Sequence, residues 1–218
     1  MIVNGEWFGR ASTAFGLCVA LTIASATAPH AANALSAPLE AKLHYCTTCH
    51  GISAQGFRGY YPIPRLAGQQ VDYLLNQLQA FAEHRRTNNI MFNIAHDLSA
   101  DEAKSLAQTF HDFNPKPLGG SASRELVSAG KKIFEEGLPA ANVPPCASCH
   151  GPEAKGDGQF PRLAGQLNDY IMNKLKNWPH ERGQIQSDSD PQAIMDPIAH
   201  ELTETQIKAV AAYVSTLQ

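Results

Sequence analysis

Positive charge is scarce and scattered in this chain. Of 218 residues, 17 are Lys or Arg and 20 are Asp or Glu, a formal net charge of −3. No basic run forms the stripe that a nucleic-acid surface requires. Beyond the first 34 residues, no apolar stretch reaches the ~20 residues needed to span a bilayer as a helix. No convincing alternating strand pattern occurs. Cysteine is limited to five residues. Four lie in two Cys-x-x-Cys-His motifs and the fifth, Cys18, in an N-terminal apolar run, so none remains for a structural disulfide. Past Met1 the only methionines are Met91, Met172 and Met195.

The N-terminus has the layout of an export signal. Arg10 precedes an apolar stretch from Ala14 to Ala24, and Ala32-Asn33-Ala34 fits a small-x-small cleavage site. Residues 1–34 are therefore expected to be removed, with the mature chain starting at Leu35 in the periplasm. The competing reading, a membrane anchor, suffers from the shortness of the apolar run. Leu17 is too large for the position before a lipidated cysteine.

What the chain does have is a duplication. Cys46-Thr47-Thr48-Cys49-His50 and Cys146-Ala147-Ser148-Cys149-His150 start 100 residues apart. Pro64-Arg65-Leu66-Ala67-Gly68-Gln69 and Asp72-Tyr73 are answered by Pro161-Arg162-Leu163-Ala164-Gly165-Gln166 and Asp169-Tyr170. Ile90-Met91 before Ile94-Ala95-His96-Asp97-Leu98 is answered by Ile194-Met195 before Ile198-Ala199-His200-Glu201-Leu202. Two copies of this length mean two homologous domains, not a solenoid. The Pro- and Gly-rich stretch Asn114 to Ser121 marks the boundary, giving residues 35–118 and 119–218. The first half holds 7 basic and 7 acidic residues, the second 9 and 12. That asymmetry either orients the molecule toward a partner or reflects surface drift.

The periodicity is helical. Helices are expected over Leu35 to His44, Val71 to Glu83 and Ser123 to Glu136, with Leu74, Leu75, Leu78 and Phe81 on one face. Ile171, Leu175 and Trp178 repeat that face, and Trp178-Pro179 should end this helix sooner than its counterpart. Ser99 with Glu102, and Thr203 with Gln206, are capping boxes that open the last helix of each half. Leu106, Ala107 and Phe110, and likewise Val210, Tyr213 and Val214, then face inward. Gly- and Pro-rich loops fill Gly51 to Pro64 and Gly151 to Pro161, the first three residues longer through Tyr60-Tyr61-Pro62-Ile63.

Cys-x-x-Cys-His is a c-type haem attachment signal. Two intervening residues let both sulfurs, Cys46 with Cys49 and Cys146 with Cys149, reach one porphyrin edge as thioethers. The adjacent His50 or His150 then lies under the iron. A redox Cys-x-x-Cys or half of a zinc site is the alternative, and zinc would need four ligands at each motif. Met91 and Met195, at equivalent positions 41 and 45 residues after the histidines, are the candidate sixth ligands. His96 and His200, also repeated, are the competitors. Met172 has no counterpart and reads as core filler. Met/His ligation raises the reduction potential. The carbonyls of Pro64 and Pro161 suit the second ring N–H of each histidine. Arg65 and Arg162 suit haem propionates, or else surface salt bridges, and Tyr73 and Tyr170 are core residues with a polar tip or propionate contacts.

On these motifs each half resembles a class I cytochrome c, and the tandem resembles the dihaem cytochrome c4 family over nearly the whole mature chain. The resemblance implies an all-α fold of two tandem class I cytochrome c domains about a pseudo-two-fold axis, with two covalent haem c groups and propionates near the domain interface. It assigns His50 and Met91 to one iron and His150 and Met195 to the other. It implies periplasmic electron transfer in a respiratory chain, soluble or peripherally membrane-associated, from a membrane quinol-oxidising complex toward a terminal oxidase. Two irons closed by His and Met leave no site for a substrate, so a carrier rather than an enzyme is expected. An electron-acceptor subunit of a larger dehydrogenase, such as a flavoprotein, shares the same haem chemistry. A dihaem peroxidase or a thiosulfate-oxidising cytochrome would need two unequal halves.

Overall fold

The computed structural model describes residues 35–120, 122–182 and 191–218. The export signal expected over residues 1–34 lies outside them. Among the described residues all regular structure is helical, and β pairing is confined to isolated bridges. No helix of the described residues is long and apolar enough to cross a membrane.

The first half contains α1 (Ala37–His50), α2 (Val71–Ala82), α3 (Asn89–His96) and α4 (Ala100–Asp112). The second contains α5 (Arg124–Glu136), a 3-10 turn (Pro139–Ala141), α6 (Ala147–His150), α7 (Asn168–Lys176), α8 (Trp178–Arg182), α9 (Pro191–Glu201) and α10 (Glu204–Thr216). Both capping boxes form as the sequence predicts, on Ser99 with Glu102 and on Thr203 with Gln206. They turn the chain sharply into α4 and α10, whose apolar faces enter two separate cores. Leu106 and Phe110 of α4 pack with Leu74 of α2. Val210 and Val214 of α10 pack with Phe134 of α5 and Ile171 of α7.

One element departs from the sequence reading. α1 does not stop at His44 but runs unbroken through the first motif to His50. In the second half α5 ends at Glu136, where the sequence predicts, with Gly137 at φ +71° as its cap, and Pro144-Pro145 hold the chain out of helix until α6 forms one turn over the motif. α7 closes at Lys176, well short of α2, and Trp178-Pro179 opens α8 instead, since proline fits a first turn but not a helix interior.

The loop after each motif returns to the histidine by the same bonds. Gly56 N–H donates to His50 O at 2.8 Å, and Leu66 and Ala67 N–H donate to Ala54 O at 2.9 and 3.1 Å. Gly156, Leu163 and Ala164 repeat these bonds to His150 and Ala154 at 2.9, 2.8 and 2.9 Å. Ala54 and Ala154 are wholly buried and sit at φ +53° and +54°, strained positions where a larger side chain has no room. The three extra residues of the first loop lie beyond the Phe57–Ile63 bridge, where Tyr60 is 91% exposed. The added length is therefore absorbed at the surface and leaves the loop's base unaltered.

Helices α5 and α10 cross in close contact at Gly130. A Cβ there would overlap the Ala209 carbonyl and lie 2.9 Å from Tyr213 Cβ. Gly130→Ala is therefore expected to destabilise the protein by roughly 1–3 kcal/mol, the usual cost of overpacking. The check is a chemical-denaturation midpoint, and a variant as stable as the parent would refute the close crossing.

Candidate haem-binding site

Within each motif the two cysteines stand three residues apart on helical backbone and so on one face, Cys46 and Cys49 in the last turns of α1, Cys146 as the N-cap of α6 with Cys149 inside it. Both thiols therefore address a single edge of a bound group. Burial pushes the Cys46 thiol up and the Cys146 thiol up to about 11. A redox-active Cys-x-x-Cys depends on a depressed thiol pKa, so this environment is unsuited to thiol–disulfide exchange. Among the described residues, no group of three or more His, Cys, Asp or Glu side chains converges to make a zinc site.

The two histidines are buried and equivalently held. His50 Nδ1 donates to Pro64 O at 2.9 Å, and His150 Nδ1 donates to Pro161 O at 2.9 Å. A carbonyl can only accept, so the proton sits on Nδ1 and the lone pair of Nε2 is left for a metal. Burial lowers both histidines below the ordinary imidazole value, against the opposing pull of the proline carbonyls. Each is thus neutral, the form that ligates.

The Pro-Arg segments supply two cations, Arg65 buried and Arg162 partly buried. Arg65 is 3% exposed; its Nε donates to Ala67 O at 3.0 Å and its Nη2 to Pro115 O at 2.9 Å, while Nη1 has no partner. Arg162 Nε donates to Ala164 O at 3.0 Å. The two segments lie side by side: a Cβ on Gly68, at φ +73°, would stand 3.5 Å from the Arg162 side chain, an ordinary contact distance. Burial, then the nearby charge of Arg162, lowers Arg65 to about 10. Among the described residues no carboxylate pairs with either guanidinium. A buried cation without an anion is costly, and the Arg65 Nη1 donor calls for an acceptor. A haem propionate is the anion that fits, so the donor set suits the group the motifs imply.

Met91 lies in the first turn of α3, where its N–H donates to the Asn88 cap at 2.9 Å, and Met195 lies in α9. Both are partly buried rather than packed into either core. Met172 packs against the second core, as a filler residue would. His96 and His200 are exposed at the C-terminal ends of the same two helices, and His96 stacks on Phe92 at 5.6 Å.

Tyr73 and Tyr170 make contacts not anticipated from the sequence. Arg86 Nη2 donates to Tyr170 OH at 2.8 Å and Arg182 Nη2 donates to Tyr73 OH at 3.2 Å, so each arginine reaches the opposite half. Each guanidinium also covers a ring of its own half, Arg86 on Phe81 and Arg182 on Trp178, both at 4.5 Å. Burial alone would raise the Tyr73 hydroxyl, but Arg182 and Arg86 outweigh it and lower it. Arg86 and Arg182 were missed in the sequence; the available signal was their near-equal distance, 13 and 12 residues, from the two tyrosines.

Two helical units with matching Cys-x-x-Cys-His motifs, carbonyl-held histidines and Pro-Arg segments define a tandem c-type cytochrome. A family profile described as cytochrome c matches residues 127–218. Cytochrome c4 of Thiocapsa roseopersicina is 38% identical over 79% of this chain and 86% of its own length. A thiosulfate dehydrogenase electron acceptor of Thiomonas intermedia is 35% identical over 78% of this chain and 77% of its own. The solved cytochrome c4 of Acidithiobacillus ferrooxidans superposes with a TM-score of 0.67 at 34% identity, covering 79% of this chain and 98% of that one. The chain belongs to the dihaem cytochrome c4 family. It accordingly carries two covalently attached haem c groups and is an electron-transfer cytochrome.

Arg65→Leu is expected to lower a haem midpoint potential in a redox titration. Removing a buried positive charge favours the more positive, ferric state. An unchanged or raised potential would remove Arg65 from the haem environment.

Proposed function

We propose that the protein is an exported two-centre electron carrier of a respiratory chain, with domains at residues 35–118 and 119–218. His50 and Met91 close one iron and His150 and Met195 the other. The observation that carries this reading is the equivalence of the halves. Both histidines present Nε2 in the same tautomer at the same 2.9 Å from a proline carbonyl. Both methionines sit, partly buried, at the same repeat position in α3 and α9. When bound, the haems supply one ferrous–ferric couple each.

The chain's own residues hold and tune these couples. The proline carbonyls orient the histidines, Arg65 and Arg162 balance propionate charge, and the loops folded back on the buried Ala54 and Ala154 cover the histidine side. Two matching ligand sets leave no open coordination position, which supports a carrier over an enzyme such as a peroxidase. Relatives named as electron acceptors of thiosulfate dehydrogenase support a periplasmic dehydrogenase as donor. A terminal oxidase is the proposed acceptor, with a membrane quinol-oxidising complex as the other donor.

The ligand assignment is tested on the oxidised protein by the weak sulfur-to-iron charge-transfer band at the red end of the visible spectrum. Met91→Ala and Met195→Ala should each remove about half of it, while His96→Ala and His200→Ala leave it intact. Loss on changing the histidines instead, or no band in the parent protein, would overturn the Met/His reading. Rapid turnover of hydrogen peroxide by the parent protein would favour the enzyme.

A further inference from the structure

Gln69 and Gln166 stand at matching places in the repeat, and each spends its amide on the other half. Gln166 Oε1 accepts from Arg65 N–H at 2.8 Å and its Nε2 donates to Arg65 O at 3.0 Å. Gln69 Oε1 accepts from Arg162 N–H at 2.7 Å and its Nε2 donates to Arg162 O at 3.0 Å. Each Oε1 also accepts from the next residue of its own half, Gln70 at 2.9 Å and Leu167 at 3.0 Å. The two glutamines are only 5% and 6% exposed. Every partner is main chain, with N–H groups that only donate and carbonyls that only accept, so neither amide can be flipped.

The placement of these bonds has a chemical consequence. Arg65 N–H and Pro64 C=O belong to one peptide group, and that carbonyl accepts from His50 Nδ1. Arg162 N–H and Pro161 C=O likewise form the peptide that holds His150. A peptide is a resonant unit. An acceptor on its N–H shifts electron density onto its oxygen and strengthens the bond that oxygen accepts. A histidine whose Nδ1–H is more strongly bound is a more basic ligand through Nε2, and a more basic ligand favours ferric iron. The route from Gln166 therefore runs to His50 of the first half, and the route from Gln69 to His150 of the second.

We propose that Gln69 and Gln166 are crossed positioning residues: each half, through one amide on the Pro–Arg peptide of the other, sets the donor strength of the other half's histidine and holds its haem potential down. This rests on His50 and His150 being the proximal ligands. A glutamine that only glued the interface would disturb both haems, or the haem of its own half.

The test is Gln166→Met, of similar length but without the acceptor, with Gln69→Met as its mirror. Midpoint potentials are followed haem by haem by NMR during redox titration, with the charge-transfer band recorded alongside. Gln166→Met should raise the potential of the haem on Cys46 and Cys49 and leave the haem on Cys146 and Cys149 unmoved. Gln69→Met should do the reverse. In both, the ferric Nδ1–H resonance of the crossed histidine should shift. Gln166→Glu keeps an acceptor on Arg65 N–H and should leave the first haem's potential at or below the parent value, which keeps the question answerable if the Met variants do not fold. Equal shifts of both haems, or a shift confined to the variant's own half, with the band intact, would overturn the proposal. An Nδ1–H signal absent from the parent protein's ferric haems would instead overturn the ligand assignment beneath it.

Discussion

The bond from a histidine Nδ1 to a proline carbonyl is the constraint around which each half is organised, and the repeated Pro-Arg-Leu-Ala-Gly-Gln segment exists to place that carbonyl. Pro64 and Pro161 supply the oxygen. Arg65 and Arg162 supply the peptide N–H that faces the other half, and a guanidinium besides, buried in Arg65 and partly buried in Arg162. Leu66 and Leu163 anchor the segment to the two cores. Ala67 and Ala164 bond to the strained Ala54 and Ala154 that fold the loop back. Gly68 supplies the left-handed turn at φ +73°, and Gln69 and Gln166 carry the exchange across. One hexapeptide thus fixes a histidine, seats a cation and joins the halves.

The energetics of the crossing favour specification over raw stability. Each neutral hydrogen bond adds about 0.5–1.5 kcal/mol net, whereas stranding a buried partner costs about 1–3 kcal/mol. The four bonds that the two glutamines make across the halves, with Arg86 on Tyr170 and Arg182 on Tyr73, therefore penalise any register other than the native one. Arg65 reaching Pro115 O ties the connecting segment into the same contact. Two centres held this rigidly need little rearrangement when an electron arrives, which suits a carrier.

Local features were legible in the sequence because local physics sets them. The capping boxes at Ser99 and Thr203, the early end of α7 before Trp178-Pro179 and the proline carbonyls as histidine acceptors all follow from residues close in the chain. α3 was not foreseen, being eight residues with little period to read. The continuation of α1 through its motif depended on Tyr45 standing where the second half has Pro145. The partners of Tyr73 and Tyr170 were missed for a different reason. Repeat alignment compares a residue with its equivalent, while these side chains bond to the non-equivalent arginine of the opposite half. The contacts of Gln69 and Gln166 share that crossed character, and no spacing rule within one repeat exposes it.

In the proposed ligation both irons are closed by one histidine and one methionine, so that the molecule carries electrons and does not bind a substrate at iron. Electron paramagnetic resonance of the fully oxidised, untreated protein tests it most directly. Two low-spin ferric signals that together integrate to both haems, with no high-spin component, are expected. A high-spin signal integrating to one haem would mean an open iron and an unequal pair, and would contradict it.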